Sequence, residues 1–269
     1  MGLEQYVREP FTHDGVTHDV YRRGTGPAVI VIAEVPGITP AVISFADRVV
    51  DLGCTAVMPH LFGKPGGAAR SPINLARTFS HVCVSKEFNL MGLRRQSPVT
   101  DWLRALGRSE HERCGGPGIG VIGMCLTGGF GLAMMADDWV LAPVLSQPSL
   151  PLPLGKARKA DLGIDDATLA KVKRRSADGS CLLALRFTGD VLSPGERFHR
   201  LRHELGDAFI AVEIDSSRRN PHGNKLVAHS VVTEDLQDRP GHPTREALDQ
   251  VLAFFTERLV GDRAAVGAP

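Results

Sequence analysis

The chain has 269 residues, with 31 Lys and Arg against 30 Asp and Glu and a formal net charge of +1. Its 43% hydrophobic and 23% charged residues are ordinary for a globular protein, which excludes disordered, collagen-like and coiled-coil chains. The balanced charge gives no support for nucleic-acid binding, and no apolar run reaches the ~20 residues that span a bilayer. The N-terminus has no apolar signal segment, and the five cysteines form no Cys-x-x-Cys pair. We therefore expect a cytoplasmic protein with free thiols and without nucleic-acid or membrane partners.

Strand-like and helix-like segments alternate along the chain, which predicts an α/β fold with a mostly parallel sheet and helices on both faces. The predicted strands are residues 29–33, 55–58, 119–123, 139–145, 181–187 and 208–214. The predicted helices are residues 40–52, 74–90, 99–106, 128–136, 165–175, 194–205 and 244–259. No linker divides the chain, so we predict one domain over residues 1–269, with its core in about residues 16–260 and a frayed C-terminal tail.

Residues 118–135, GIGVIGMCLTGGFGLAMM, contain the motif most informative about chemistry. A buried strand leads directly into Cys125, and a pair of glycines then opens a helix. This arrangement resembles the nucleophile elbow of α/β-hydrolases, a strand-to-helix turn in which a helix N-terminus favours a thiolate. Cys125 is therefore the predicted nucleophile, and the backbone N–H of Leu126 is predicted to form half of an oxyanion hole. The usual pattern has glycine where this chain has Thr127, and the alternative for Cys125 is a buried core residue.

A hydrolase of this kind needs an acid and then a histidine after the nucleophile in chain order. Asp190 directly follows a predicted strand and is the predicted acid, with Asp215 at the end of the next strand as the alternative. His229 is the predicted base, with His222 and His242 as alternatives. The base would take the thiol proton through Nε2 while the acid holds Nδ1–H.

Glu34 follows the first predicted strand, where the second oxyanion-hole N–H, that of Val35, is expected to lie. We predict that Glu34 assists deprotonation of the thiol, and its alternative role is to cap the loop. The side chains predicted to contact substrate are Phe62, Arg94, Arg95 and Gln147. His199 and His203 are spaced i, i+4, but we interpret them as a solvated helix face; we predict no metal site and no cofactor.

Four segments resemble the dienelactone hydrolase family, in the right order and spacing, and the resemblance covers most of residues 16–260. They are VIVIAEVPGITP at 29–40, GVIGMCLTGG at 120–129, RFTGDVLSP at 186–194 and AHSVVT at 228–233. The resemblance implies an α/β-hydrolase fold and a triad, assisted by a glutamate, at Cys125, Asp190, His229 and Glu34. The family hydrolyses an enol-lactone in the degradation of aromatic compounds.

The arginines with which that family holds a substrate carboxylate are not matched here. SVVT follows His229, and Lys64 is the nearest substitute for the other arginine. We therefore predict a cysteine hydrolase of a small ester or lactone that forms an acyl-enzyme, without assigning the dienelactone as its substrate. The alternatives are a non-catalytic scaffold that binds a small ligand and a redox-responsive protein in which Cys125 is oxidised. A small-molecule substrate is the only expected partner, and we expect a monomer, with a dimer as the alternative.

Overall fold

The computed structural model describes residues 2–67, 97–150 and 155–261. The helix predicted at residues 74–90, together with Arg94 and Arg95, lies outside the described residues. The strands are β1 Val7–His13, β2 Val16–Gly24, β3 Ala28–Ile32, β4 Thr55–Pro59, β5 Ile119–Met124, β6 Val140–Ser146, β7 Leu182–Phe187 and β8 Phe209–Ile214. The helices are α1 Pro40–Asp51, α2 Pro98–Cys114, α3 Gly128–Met134, α4 Lys156–Lys159, α5 Asp166–Ala177, α6 Gly195–Leu205 and α7 Pro243–Phe255.

The eight strands form one sheet in the order β1-β2-β4-β3-β5-β6-β7-β8. All pairings from β4 to β8 are parallel, and only the two pairings made by β2 are antiparallel. Alternate residues of β3 enter different cores because side chains of a strand point to opposite faces. Val29 and Val31 pack in the core that includes α1 and α7, whereas Ile30 and Ile32 pack in the core that includes α2 and α3. The prediction of a mostly parallel sheet with helices on both faces is confirmed.

The antiparallel hairpin of β1 and β2 is the part of the sheet that we did not predict. Asp14 and Gly15 join the two strands, with left-handed φ angles of 47° and 77°, and His13 pairs with Val16 across the turn. Asp-Gly is a strong signal for this two-residue turn, which requires positive φ at both positions. The signal was therefore present in the sequence.

The other strands lie within one residue of their predicted bounds at each end. The largest error in a described helix is at α2, which was predicted to end at residue 106 and continues to Cys114. Its last two turns are polar and therefore show little hydrophobic periodicity. None of the described helices is both long and apolar enough to cross a membrane.

The parallel arrangement determines where a site can form, because the carboxyl ends of parallel strands meet at one edge of the sheet. Cys125 follows β5, Gln147 follows β6 and Asp190 lies three residues after β7. Glu34 lies two residues after β3, the neighbour of β5. Most of the predicted functional side chains are thereby brought to the same edge.

Candidate active site

Cys125 occupies a sharp turn between β5 and α3. Its φ angle is 55°, a left-handed conformation that is uncommon for residues other than glycine and that concentrates at functional sites. The turn is tight: a Cβ atom at Gly123 would lie 2.4 Å from the carbonyl oxygen of Thr127. The carbonyl oxygen of Cys125 accepts a hydrogen bond from the Ser149 N–H at 2.8 Å. These features give Cys125 the backbone geometry of a nucleophile elbow. The residue is mostly buried, with 8% of its surface exposed.

Asp190 and His229 are joined by a hydrogen bond of 2.6 Å between Oδ2 and Nδ1. The other carboxylate oxygen of Asp190 accepts from the Leu192 N–H at 2.9 Å, which fixes the carboxylate. The backbone N–H of His229 donates to Asp235 Oδ2 at 2.9 Å, so the segment that carries the imidazole is also held. The structure thus brings together the acid and the base that the sequence favoured.

Asp215, His222 and His242, the alternatives to Asp190 and His229, interact with other groups. Asp215 Oδ1 accepts from the Ser217 N–H at 2.8 Å within its own turn. The rings of His222 and His242 lie against each other, with centroids 5.9 Å apart. His242 is also the N-cap residue of α7 and accepts from the Thr244 N–H. Among the described residues, no hydrogen bond or ion pair joins any of these three to Asp190.

The electrostatic surroundings of His229 favour a positively charged ring. Burial, the largest single influence, lowers its pKa, but interactions with Asp190 and Cys125 more than offset this and raise the pKa to about 11. The buried Nε2 atom has no hydrogen-bond partner in the part of the chain that the structure describes. Contacts between catalytic groups are often long without substrate and tighten when it binds. His229 is therefore held by Asp190 at one nitrogen and open for proton transfer at the other.

Glu34 is almost fully buried, with 3% of its surface exposed, and burial raises the pKa of its carboxyl group. Its Oε2 accepts from Ser230 Oγ at 2.6 Å and from Gln147 Nε2 at 3.0 Å, and its Oε1 accepts from Thr233 Oγ1. These hydrogen bonds link the end of β3 to the segment that carries His229. Within the described residues no hydrogen bond joins Glu34 to Cys125, so its predicted help to the thiol stays a prediction.

Gln147 lies at the centre of the same hydrogen-bond network. It is fully buried with a φ angle of 38°, and its Oε1 accepts from the Val231 N–H at 3.2 Å and from Ser146 Oγ. Its amide is therefore bound by protein groups, and the predicted contact with substrate gains no support from this position. The structural role of Gln147 was not predicted. Its position directly after a buried strand was the sequence signal that could have indicated this role.

The remaining predicted site residues lie near the ends of β3 and β5. Val35 and Leu126, the predicted oxyanion-hole donors, are both half-buried. They follow neighbouring strands whose last pairing is between Ile32 and Gly123. Phe62 is also half-buried, and its backbone packs against the loop after Glu34: a Cβ at Gly37 would lie 2.5 Å from the Phe62 carbonyl oxygen. No three side chains of His, Cys, Asp or Glu are grouped to hold a metal ion among the described residues.

Thr127, at the position where the elbow pattern usually has glycine, is fully buried and bonds to the strand that leads to Glu34. Its Oγ1 accepts from the Met124 N–H at 2.8 Å. The hydroxyl proton is within reach of the carbonyl oxygens of Ile32 at 2.9 Å and Met124 at 2.8 Å. The side chain therefore connects the turn that carries Cys125 to the end of β3.

We expect Thr127→Val to reduce kcat for ester hydrolysis about tenfold with little change in KM. The nearly isosteric valine leaves the buried Met124 N–H without its acceptor, which costs about 1–3 kcal/mol and loosens the elbow. Steady-state kinetics and the free energy of unfolding of Thr127→Val and Thr127→Ser test this. Serine keeps the hydroxyl and should retain most of both quantities, and a valine variant as active and as stable as the wild type would contradict the role.

Comparisons of the sequence and of the overall fold relate the chain to known proteins. The sequence model of the dienelactone hydrolase family matches residues 17–163. A solved structure of a proposed dienelactone hydrolase from Klebsiella pneumoniae subsp. pneumoniae is similar, with a TM-score of 0.63, 15% identity and coverage of 94% of this chain and 99% of that one. A cold-adapted esterase from an Arctic intertidal metagenomic library has a TM-score of 0.58 and 13% identity, with coverage of 94% and 93%. None of the curated proteins shows significant sequence similarity to the chain. The structural similarities confirm the predicted α/β-hydrolase fold.

Proposed function

Because the chain belongs to the dienelactone hydrolase family, we propose that it hydrolyses a small ester or lactone with Cys125 as the nucleophile. Membership of the family makes it a hydrolase of carboxylic ester bonds. The observation that carries the finer proposal is the 2.6 Å hydrogen bond between Asp190 and His229 Nδ1, with Nε2 left open. An oriented base close to a cysteine in a strained elbow is the arrangement that nucleophilic acyl transfer requires.

Before the reaction, the proton of the Cys125 thiol is proposed to lie on His229 Nε2, in keeping with the positively charged ring, so that the attacking sulfur is a thiolate. The sulfur attacks the carbonyl carbon, an S–C bond forms, and the carbonyl oxygen becomes an oxyanion. The N–H groups of Leu126 and Val35 are proposed to stabilise that charge. As the oxyanion collapses, the ester C–O bond breaks and the leaving oxygen takes the proton from His229 Nε2, which leaves a thioester.

In the second half, a water molecule replaces the alcohol and loses a proton to His229 Nε2. Its oxygen attacks the thioester carbon, the C–S bond breaks, and the sulfur leaves as a thiolate beside the ring, which keeps the proton taken from water. One water molecule has then been consumed, and one acid and one alcohol have been formed. In a lactone the two products remain parts of the same molecule. Asp190 holds the ring in the required orientation throughout and stabilises its positive charge.

Glu34 is proposed to act on this site indirectly, by holding the segment that carries His229. Its carboxyl group receives hydrogen bonds from Ser230 and Thr233, on either side of Val231 and Val232 in the segment after His229. It also receives one from Gln147, at the end of β6. A buried acceptor with three donors fixes the segment that presents the histidine.

Trapping of an acyl-enzyme tests the proposed function. The protein is mixed with p-nitrophenyl acetate, quenched with acid and analysed by peptide mass spectrometry. We expect acetylation on the peptide that contains Cys125, approaching one group per chain, and the same result in Cys181→Ala as the matched control. Turnover without a Cys125 adduct would contradict the proposed nucleophile. Absence of turnover would favour the non-catalytic scaffold, or the redox thiol if dilute peroxide oxidises Cys125 reversibly.

The raised pKa of His229 gives a pH dependence with a defined sign. The ring binds its proton more tightly in the folded protein, with a pKa of about 11, than at its ordinary value of 6.5. The linked stabilisation is complete below about pH 6.5 and is lost progressively as the pH rises towards 11. We expect the stability advantage of the wild type over His229→Gln to shrink steadily between pH 7 and about 10.

Urea unfolding of both proteins across this range measures that advantage. His203→Gln, on the helix face that we interpret as solvated, is the matched control and should show no such trend. An advantage that is constant or grows with pH would contradict the charged ring.

A further inference from the structure

Exposed apolar side chains are concentrated beside the acid and the base. Within the described residues, the large hydrophobic side chains that are exposed are Val7, Val191, Leu192, Ile210, Leu226 and Val227. Four of these six either follow Asp190 by one or two residues or precede His229 by two or three residues. Val191 and Val227 are the most exposed of all, at 77% and 83%. We call Val191, Leu192, Leu226 and Val227 the apolar rim.

The two halves of the apolar rim belong to segments that are joined to each other. The Leu192 N–H donates to Asp190 Oδ1 at 2.9 Å, so this backbone is bound to the acid. A Cβ at Gly189 would lie only 3.0 Å from the carbonyl oxygen of Leu226, so the two segments are in close contact there. The 2.6 Å bond between Asp190 and His229 joins them again. The rim therefore belongs to the same local structure as these two side chains.

The surroundings of the rim indicate what kind of group it would contact. Lys225, the charged residue next to Leu226, has its Nζ 3.7 Å from Asp235 Oδ1, so this cation already faces a carboxylate. Ser230, in the position directly after His229, donates its hydroxyl proton to Glu34. A surface of Val and Leu side chains gains free energy when an apolar group covers it, whereas it offers an anionic group no partner.

The chemistry indicates which part of the substrate lies there. The leaving oxygen must come within hydrogen-bond distance of His229 Nε2 to receive its proton. The substituent on that oxygen, rather than the acyl chain on the far side of the carbonyl, is therefore the part closest to the segments that carry the rim.

We propose that the apolar rim binds the alcohol portion of the substrate and that the enzyme prefers uncharged esters of apolar alcohols. This inference rests on the proposed ester hydrolysis and adds the chemical class of the leaving group. It differs from recognition of a substrate carboxylate, for which none of the four rim side chains carries a charge. Arg197, whose Nη1 donates to the Leu192 carbonyl oxygen at 3.5 Å, is itself buried and also donates to the carbonyl oxygens of Asp161 and Pro148.

Hydrolysis of ethyl acetate, hexyl acetate and ethyl hexanoate in a pH-stat tests the proposal. We expect kcat/KM to be about tenfold higher for hexyl acetate than for ethyl acetate, and to rise much less for ethyl hexanoate. In the double variant Val191→Ser, Val227→Ser, the ratio of hexyl to ethyl acetate should fall towards one. Ile210→Ser, an equally conservative change at an exposed position on β8, is the matched control and should keep the wild-type ratio.

The outcomes distinguish failure of the proposed ester hydrolysis from failure of the inference about the apolar rim. If none of the three esters is hydrolysed, the proposed function fails and the inference fails with it. If the esters are hydrolysed but the ratio is the same in the wild type and the double variant, the inference alone is overturned. Light scattering tests whether a second copy of the chain covers the rim instead. A dimeric wild type and a monomeric double variant, with the same ratio of hexyl to ethyl acetate hydrolysis, would assign the rim to a contact between two copies. Circular dichroism confirms that the serine variants fold, as expected for exposed positions.

Discussion

Replacement of Cys125 by alanine is expected to lower ester hydrolysis by roughly 10⁴-fold or more, because loss of a triad nucleophile removes the covalent route altogether. The side chain is small and 8% exposed, so the change should leave the fold intact. Its main structural effect should be a modest adjustment at the strained turn. The measurement is kcat/KM for p-nitrophenyl acetate, together with the burst of p-nitrophenol in the first turnover, which should vanish.

Of two other cysteines, Cys181 provides the control for this experiment, whereas Cys54 is buried. Cys54 is fully buried, and burial raises the pKa of its thiol to about 11. Cys181 is half-buried and comes just before β7, whereas Asp190 comes after that strand. Alanine at Cys181 should keep the burst and the steady-state rate within about a factor of two, as is usual for sites away from the chemistry. A Cys125→Ala protein that keeps most of its activity would show that another group, or none, attacks the ester.

Asp190→Asn is expected to lower kcat by roughly 10³- to 10⁴-fold while the protein stays folded. The amide is the same size but carries no charge, so it stabilises the imidazolium of His229 less. It can also present an N–H to Nδ1 and favour the wrong tautomer. Because a hydrogen bond to Asp190 helps to raise the pKa of His229, the ring in the variant should lose its proton at a lower pH. Single-turnover acylation, measured from pH 6 to about 10, reports both effects.

Asp215→Asn is the matched control for this change. Asp215 also follows a strand, β8, but its carboxylate accepts from the Ser217 N–H in a local turn. Its replacement by asparagine should leave kcat within about a factor of two. Comparable losses in both variants would mean that the effect of Asp190→Asn is a general loss of structure, and a fully active Asp190→Asn protein would remove this residue from the mechanism.

Local sequence signals sufficed to predict six of the eight strands and the tight turn at Cys125, because interactions between residues close in the chain determine both. Runs such as VIVIA at 29–33 are buried on both faces of the sheet. The glycines around Cys125 are required by contacts within a few residues, such as that between Gly123 and Thr127. The signal for the Asp14-Gly15 turn was equally local, and because it was overlooked, neither strand of the hairpin was predicted.

The network around Glu34 was beyond prediction from local signals. Its partners Ser230 and Thr233 are 196 and 199 residues away in the chain. Their approach depends on strand order, on the path of the 215–224 loop and on the left-handed turn at Gln147. The choice between His229 and His222 had the same origin, because both follow β8 and only the folded path decides which imidazole meets Asp190.

The hairpin at the N-terminus has a consequence for shortened forms of this protein. The match to the family begins at residue 17, inside β2, so all of β1 lies before it. Glu9 of β1 pairs with Arg113 at 2.8 Å, and the Phe11 carbonyl oxygen accepts from Trp102 Nε1 at 3.2 Å, so the strand is bound to α2 as well as to β2. Removal of β1 would leave β2 as a bare edge whose unpaired N–H and C=O groups can pair with other chains. A chain that begins at residue 17, where the family match begins, would therefore tend to aggregate, even though Cys125, Asp190 and His229 would all still be present.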